Sequence, residues 1–214
     1  MNIKINQSVA NIIGIFLATI LIASACSPAA TPSPTAIPAT PTPDPIGLVK
    51  AYEEAFNRHD LDAVMALFAD DAATQNVWFV GSSVISKPDI SLQHDYSFGR
   101  NHTIQNSECS MDNDTVTCQA VTWDDCTKAA GLDGLHYKSV KYVFEDKKIN
   151  KVTGTIVGDD YAAMGRFNSR LIYWTQANRS EELDKVIDGE FLIINREAGE
   201  ILAKLCQEFA AANP

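Results

Sequence analysis

The distribution of proline most restricts where this chain can fold. Seven of its nine prolines lie between Ser27 and Pro45, with threonine and alanine between them. Because proline fixes φ and lacks an amide proton, this segment is unsuited to the interior of a helix or sheet. We interpret residues 26–45 as an extended tether, about 3.1 Å per residue and roughly 60 Å in all. A compact domain must then come from the 169 residues of 46–214, which suffice for one core.

An apolar run, Ile12–Ile22, precedes this tether and ends in Ala23-Ser24-Ala25-Cys26. The run is shorter than the roughly 20 residues of a membrane-spanning helix. Lys4 in front and the small residues behind are typical of a signal peptide that ends in a lipobox, although leucine is commoner than alanine at position 23. We predict that residues 1–25 are a signal peptide and that Cys26 carries lipid, which would anchor the chain on the extracytoplasmic face of the cell membrane or outer membrane. The alternative is ordinary secretion, with Cys26 incidental.

The chain is acidic, with a formal net charge of −10 at pH 7. Removal of residues 1–25 takes away one lysine and no acid, so the mature chain would carry −11. Such a charge repels phosphate, and it disfavours nucleic acid as a partner.

Four cysteines remain beyond Cys26, and an even number in an exported domain indicates disulfides. With a two-residue hairpin loop at Asn113-Asp114, Cys109 faces Cys118 at a non-hydrogen-bonded position, where Cα atoms lie about 4.5 Å apart. The sequence therefore predicts a Cys109–Cys118 bond. Cys126 and Cys206 are the remaining pair, and nothing local fixes their distance. No Cys-x-x-Cys spacing occurs, so we expect no metal site.

The spacing of apolar residues along 46–214 predicts helices first, then mainly strands, and then helices again. Two helices are predicted first, one beginning at Pro45 and one capped by Asp60. A strand over 74–80 and a short helix over 86–96 follow. Strands are then predicted near 102–110, 115–124, 135–145 and 148–157, with hairpin turns between the first two and between the last two. Residues 158–214 are mostly helical in pattern. This order indicates an α+β fold.

The stretch from Gly47 to Ala72 resembles the opening of nuclear transport factor 2-like, SnoaL-like domains. Asn57-Arg58-His59-Asp60 lies where that family has its first turn, and Phe68-Ala69-Asp70-Asp71-Ala72 lies where its second helix ends. Phe144-Glu145-Asp146 resembles the last hairpin. The resemblance covers residues 46–157, which we take as the domain, with 158–214 as a helical extension packed on it.

The resemblance implies a cone-shaped, curved antiparallel sheet packed with N-terminal helices, a cystatin-like arrangement with a cavity between the layers. Some members of the family are isomerases, dehydratases, cyclases or epoxide hydrolases, whereas others bind, dimerise or act as scaffolds, so the fold does not choose a function. A homodimer through the exposed sheet face is consistent with the family, unless the C-terminal helices cover that face.

No family catalytic motif matches this sequence, so only weak candidates remain. They are His94 on the short helix, His102 and His136 near strand starts, and Asp124 after a strand. His94 and Asp95 point about 100° apart on a helix and cannot easily act as one dyad. Asp124 could cap a loop or lie at the cavity rim, where only burial in an apolar pocket would suit it to acid–base chemistry. Trp78, Phe79 and other strand aromatics are expected in the core or in a pocket wall.

Two functions are consistent with these observations. The first, which we prefer, is a non-catalytic lipoprotein that binds a small apolar or amphipathic ligand, or a protein partner. The second is a SnoaL-like lyase, isomerase or hydrolase with a cavity carboxylate or histidine. The sequence calls for no cofactor in either case.

Overall fold

The structure, a computed structural model, describes residues 44–75, 84–189 and 191–213. The predicted signal peptide, Cys26, most of the predicted tether, and Trp78 and Phe79 lie outside the described residues. The helices are α1 (Pro45–Asn57), α2 (Leu61–Ala66), α3 (Lys87–Gly99), α4 (Asp125–Ala129), α5 (Gly158–Asn178), α6 (Ser180–Leu183) and α7 (Arg196–Ala212). The strands are β1 (Ala73–Gln75), β2 (Val84–Ser86), β3 (Thr103–Asp112), β4 (Thr115–Trp123), β5 (Leu135–Glu145), β6 (Lys148–Ile156), β7 (Ile187–Asp188) and β8 (Phe191–Leu192).

The main sheet is an antiparallel meander of four strands in the order β3-β4-β5-β6. Alternate residues of β4 to β6 are buried against α1 to α3, and the residues between them face away from those helices. The α+β arrangement of helices packed on an antiparallel sheet, with a further C-terminal helix, is the one the sequence predicts.

Side chains at the helix ends explain where the first helices begin and how they join the sheet. Asp44 and Asp60 cap α1 and α2 by accepting hydrogen bonds from the backbone N–H groups of Gly47 and Ala63. Asn57, the last residue of α1, bonds both the N–H and the C=O of Ile104, each at 2.8 Å. Because β3 is an edge strand, Asn57 satisfies polar groups that would otherwise lack a strand partner.

The β3–β4 hairpin contains a disulfide at an irregularity in its register. Asp112 pairs with Thr115 as expected, but the register shifts between Ser107 and Ser110. Within this bulge Cys109 is bonded to Cys118, and their Cα atoms are 4.0 Å apart. The expected pairing is present, although on a bulge where the sequence predicted regular strand.

Helix α3 separates two apolar clusters. Ile90 and Phe98 belong to the cluster between the helices and the sheet, whereas Tyr96 belongs to a second cluster with α4, α5 and α7. Cys126 in α4 is bonded to Cys206 in α7, with 5.1 Å between Cα atoms. Arg196 at the start of α7 forms an ion pair with Asp95 of α3 at 2.8 Å. The last helix is therefore attached to α3 and α4.

The described helices include none long and apolar enough to cross a lipid bilayer.

Candidate functional site

His94 lies between α1 and the sheet, with both ring nitrogens engaged. Its Nδ1–H donates to the carbonyl of Ile90 at 2.7 Å, because a carbonyl can only accept. Its Nε2 therefore accepts from the hydroxyl of Tyr52, at 2.9 Å. The residue is 4% exposed. Burial lowers the pKa of His94 to about 4, so the ring is neutral at pH 7.

Aromatic rings surround His94 on several sides. Tyr52, Phe56, Phe68 and Phe98 each lie with ring centroids 5.5 to 6.3 Å from the imidazole, in edge-to-face arrangements. This geometry packs the imidazole as an aromatic side chain. A proton acceptor in such a place has no room for a substrate unless one of these rings moves.

A second polar chain crosses the interior beside the first. The hydroxyl of Tyr142 donates to the Asn106 side chain at 3.0 Å, and the Asn106 amide donates to Glu53 at 2.9 Å. Glu53 also accepts from the backbone N–H of Asn106. Burial raises the pKa of Tyr142 well above its usual value, so this phenol does not ionise near neutral pH. The chain satisfies buried polar groups by joining α1 to β3 and β5.

His102 is also buried, beside the turn between α1 and α2. Its ring lies edge-on to Phe56 at 5.5 Å. Burial first, and then the Arg100 guanidinium, keep its pKa well below the usual value. Its carbonyl accepts from Nε2 of His59, and the His59 ring stacks on Phe98 at 4.9 Å. His59, in the turn between α1 and α2, thus packs its ring against the buried Phe98.

Asp124 caps α4 and forms an ion pair. One carboxylate oxygen accepts from the N–H and the hydroxyl of Thr127, at 2.7 and 2.8 Å. The other contacts Arg100, whose guanidinium also lies over the Tyr96 ring, 5.5 Å from its centroid. Of the two roles expected for Asp124, capping is the one observed, and Arg100 occupies its second oxygen.

His136 differs from the other three candidates because one of its ring nitrogens faces solvent. Asp160, in the first turn of α5, accepts from the His136 backbone N–H and from Nδ1–H, at 2.7 and 2.8 Å. The side chain is 44% exposed, and it faces away from the core residue Tyr137. The contact with Asp160 orients the ring on the outside of the sheet.

The structure does not bring the four candidates into one catalytic arrangement. His94 and His102 are in the core, Asp124 is at the start of α4, and His136 is on the outer side of β5. Sequence reasoning missed Tyr52 and Asn106, which satisfy the buried polar groups. Tyr52 is 42 positions from His94, and neither residue lies in a motif that would have signalled the contact.

Within the described part of the chain, no three His, Cys, Asp or Glu side chains come together as a metal site.

Comparisons with known proteins give similarity of fold. No family model matches the sequence, and no curated protein is significantly similar to it. Among solved structures, a putative polyketide cyclase from Xanthomonas campestris is 22% identical, with a TM-score of 0.42 over 56% of this chain and 94% of that one. An NTF2-like protein of unknown function from Cytophaga hutchinsonii is 9% identical, with a TM-score of 0.43 over 55% and 93%. An uncharacterised cystatin-fold protein from Novosphingobium aromaticivorans is 18% identical, with a TM-score of 0.41 over 50% and 93%.

At these identities the likeness concerns the fold alone, and the activities named belong to those proteins. The observed helices and antiparallel sheet are the fold class that the sequence predicts for residues 46–157.

Proposed function

We propose that this chain is an exported, lipid-anchored protein whose folded part acts by binding and not by catalysis. The lipobox at Cys26 and the tether behind it support export. All four cysteines after Cys26 are joined in disulfides, which suits an oxidising compartment.

The environment of His94 is the observation that favours binding over catalysis. A general base needs a nitrogen within reach of a substrate proton. The two nitrogens of His94 are instead bonded to Ile90 and Tyr52, inside a ring of aromatic side chains. Many of the buried side chains of α1 to α3 and of the main sheet belong to one apolar cluster.

One observation favours the alternative of a lyase, isomerase or hydrolase. His94 is neutral at pH 7 and hydrogen-bonded to a tyrosine hydroxyl, and such a pair could exchange a proton with a small hydrophobic substrate. This alternative requires Tyr52 or a neighbouring ring to move aside.

Turnover assays separate the two functions. We would incubate the full chain with an apolar epoxide and with a β,γ-unsaturated steroid ketone, and follow hydrolysis and isomerisation. We expect rates equal to those of buffer alone. Turnover that is lost in His94→Gln and kept in His136→Gln would establish the enzyme instead.

Lipid attachment is tested in an expressing bacterium. Metabolic labelling with an alkyne fatty acid should mark the wild type and a Ser27→Ala control, and should not mark Cys26→Ser. We expect the Cys26→Ser protein to leave the membrane fraction. Equal labelling of Cys26→Ser and wild type would refute the anchor.

A further inference from the structure

The face of the main sheet that points away from α1 to α3 differs in chemistry from the rest of the chain. We call it the outer face and define it by the residues of β3 to β6 that alternate with the buried ones. The same face carries the half-buried Val121 and Val143 and the exposed Glu145. Its other side chains are mostly amides, hydroxyls and lysines: Gln105, Ser107, Thr117, Gln119, Lys138, Lys141, Lys151, Thr153 and Thr155.

Three lysines lie together on β5 and β6, toward one edge of this face. Lys141 pairs across strands with Thr153, and Val143 pairs with Lys151, so the two lysines are diagonal neighbours. In a regular ladder such neighbours have Cα atoms about 7 to 8 Å apart. Lys138 is exposed at the register shift of the same strand. Three like charges on adjacent strands repel one another and add nothing to folding stability.

These lysines have no ion-pair partner among the described residues. Other lysines are engaged: Lys87 with Asp70, Lys128 with Asp125, and Lys204 with Glu208. A chain with ten more acidic than basic residues thus leaves positive charge unneutralised on one face.

Acidic side chains border the lysines without pairing with them. Glu108 contacts Gln119 at the bulge of β3, and Glu145 accepts from the Asn150 amide at the hairpin end of β5. These contacts confine the positive region to the middle of β5 and β6.

The composition of the outer face indicates what it could bind. Protein interfaces are rich in aromatic residues and arginine and poor in lysine and serine. Membrane-surface binding needs more apolar side chains or a larger cationic excess than three lysines provide. Lysines among hydroxyl and amide side chains are suited to bind a hydrated, repeating polyanion. Lysine supplies the charge, and threonine and glutamine can exchange hydrogen bonds with sugar hydroxyls.

We propose that the outer face binds an anionic glycan chain, with Lys138, Lys141 and Lys151 contacting its acidic groups. This inference rests on the proposed function for its setting, because an exported protein would meet such polymers in the cell envelope. The proposed contact with the glycan involves only side chains of the main sheet. Its test does not depend on lipid attachment or on turnover.

The test measures binding of the full chain, in a neutral detergent, to fluorescent oligogalacturonate and to neutral dextran of similar length. At about 50 mM salt we expect binding to oligogalacturonate alone, weakening as salt is raised. Replacing Lys138, Lys141 and Lys151 together by glutamine should weaken binding about tenfold or more.

A matched control separates this face from overall charge. Replacing three lysines elsewhere by glutamine changes the net charge equally, and should alter the affinity less than about twofold. The lysines of this control are Lys50, Lys185 and Lys204. Equal weakening in both triple variants, or no binding by the wild type, would overturn the proposal. Binding of the unlipidated Cys26→Ser chain to phosphatidylglycerol vesicles in place of oligogalacturonate would assign the face to a membrane and also overturn it.

Discussion

His94 links the interior of this fold to pH. Its neutral ring accepts from Tyr52 and donates to Ile90, and protonation would remove the acceptor and place a charge among aromatic rings. The same packing that makes the residue unsuited to bind a substrate makes folding sensitive to acid.

The pKa of His94 is about 4 in the folded chain and 6.5 as an ordinary value. Between these values the unfolded chain binds a proton that the folded chain does not. The free energy of unfolding should therefore fall as pH decreases from 6.5 to about 4, by roughly 3 kcal/mol, and then level off for this group. Buried His102 acts in the same direction. Urea titrations at several pH values should show a smaller fall in His94→Gln than in the wild type. An equal fall in His94→Gln would show that other groups are responsible.

Asp124 and Arg100 form the most buried ion pair described, with side chains 2% and 15% exposed. Asparagine can still cap α4, so Asp124→Asn removes the charge and leaves the cap. We expect a loss of about 3 kcal/mol, because the guanidinium then lacks its counter-ion. The double variant Arg100→Met, Asp124→Asn should lose less than the single one in urea denaturation. An additive loss would mean that the two groups do not interact.

At the scale of elements, α3 and α7 approach so closely that glycine is required where they cross. A Cβ on Gly99 would lie 2.3 Å from the Arg196 carbonyl oxygen, and one on Gly199 would lie 2.3 Å from that of Tyr96. Backbone atoms cannot move aside as a flexible side chain can. The two glycines therefore set the distance between the helices.

Gly99→Ala should destabilise the chain by about 2 kcal/mol or more, because it forces α7 away from α3. Gly165→Ala is the matched control. Gly165 is also helical, and its Cβ would have no neighbour within 4 Å, so alanine there should add about 0.5 to 1 kcal/mol. Thermal denaturation of the two variants should shift in opposite directions; shifts of the same sign would argue against the close crossing.

The elements also show which parts of the fold are predictable from sequence. The long strands and the capped helices follow from alternation and from Asp60, which are local signals. Helix α4 and the β7–β8 hairpin were missed, because elements of five and two residues are too short to show periodicity. At the β3 bulge Glu108 has φ +49°, and a glutamate in the sequence does not indicate a positive φ. The candidate site was predictable only as residue types, since the contacts of His94 join distant parts of the chain.

At the scale of the whole molecule, the two disulfides stabilise different parts of the fold. Cys109–Cys118 closes a short hairpin, whereas Cys126–Cys206 spans 80 positions and ties the C-terminal helix to α4. The acidic net charge and the basic outer face also belong to this scale. The net charge of the chain is negative, whereas the lysines of the outer face make a local region positive.

Removing Cys126 and Cys206 together by alanine should cost about 4 to 5 kcal/mol in the chain-entropy account, against about 3 kcal/mol for Cys109 and Cys118. Urea denaturation of both double variants provides the comparison. We expect the first variant alone to loosen α7, seen as faster amide exchange in Ala203–Phe209. Equal exchange in both variants would show that packing on α3 holds α7 without the bond.

The spacing of these cysteines has a consequence for biogenesis. In a chain that emerges from a translocation channel N-terminus first, Cys109, Cys118 and Cys126 reach the oxidising side before Cys206. Three pairings of four cysteines exist, and two of them are non-native. Because the Asn113-Asp114 turn brings Cys109 beside Cys118 at once, the local bond can form first and leave Cys126 to wait for its distant partner. In a chain exported as we propose, the hairpin disulfide would therefore form before the bond between α4 and α7.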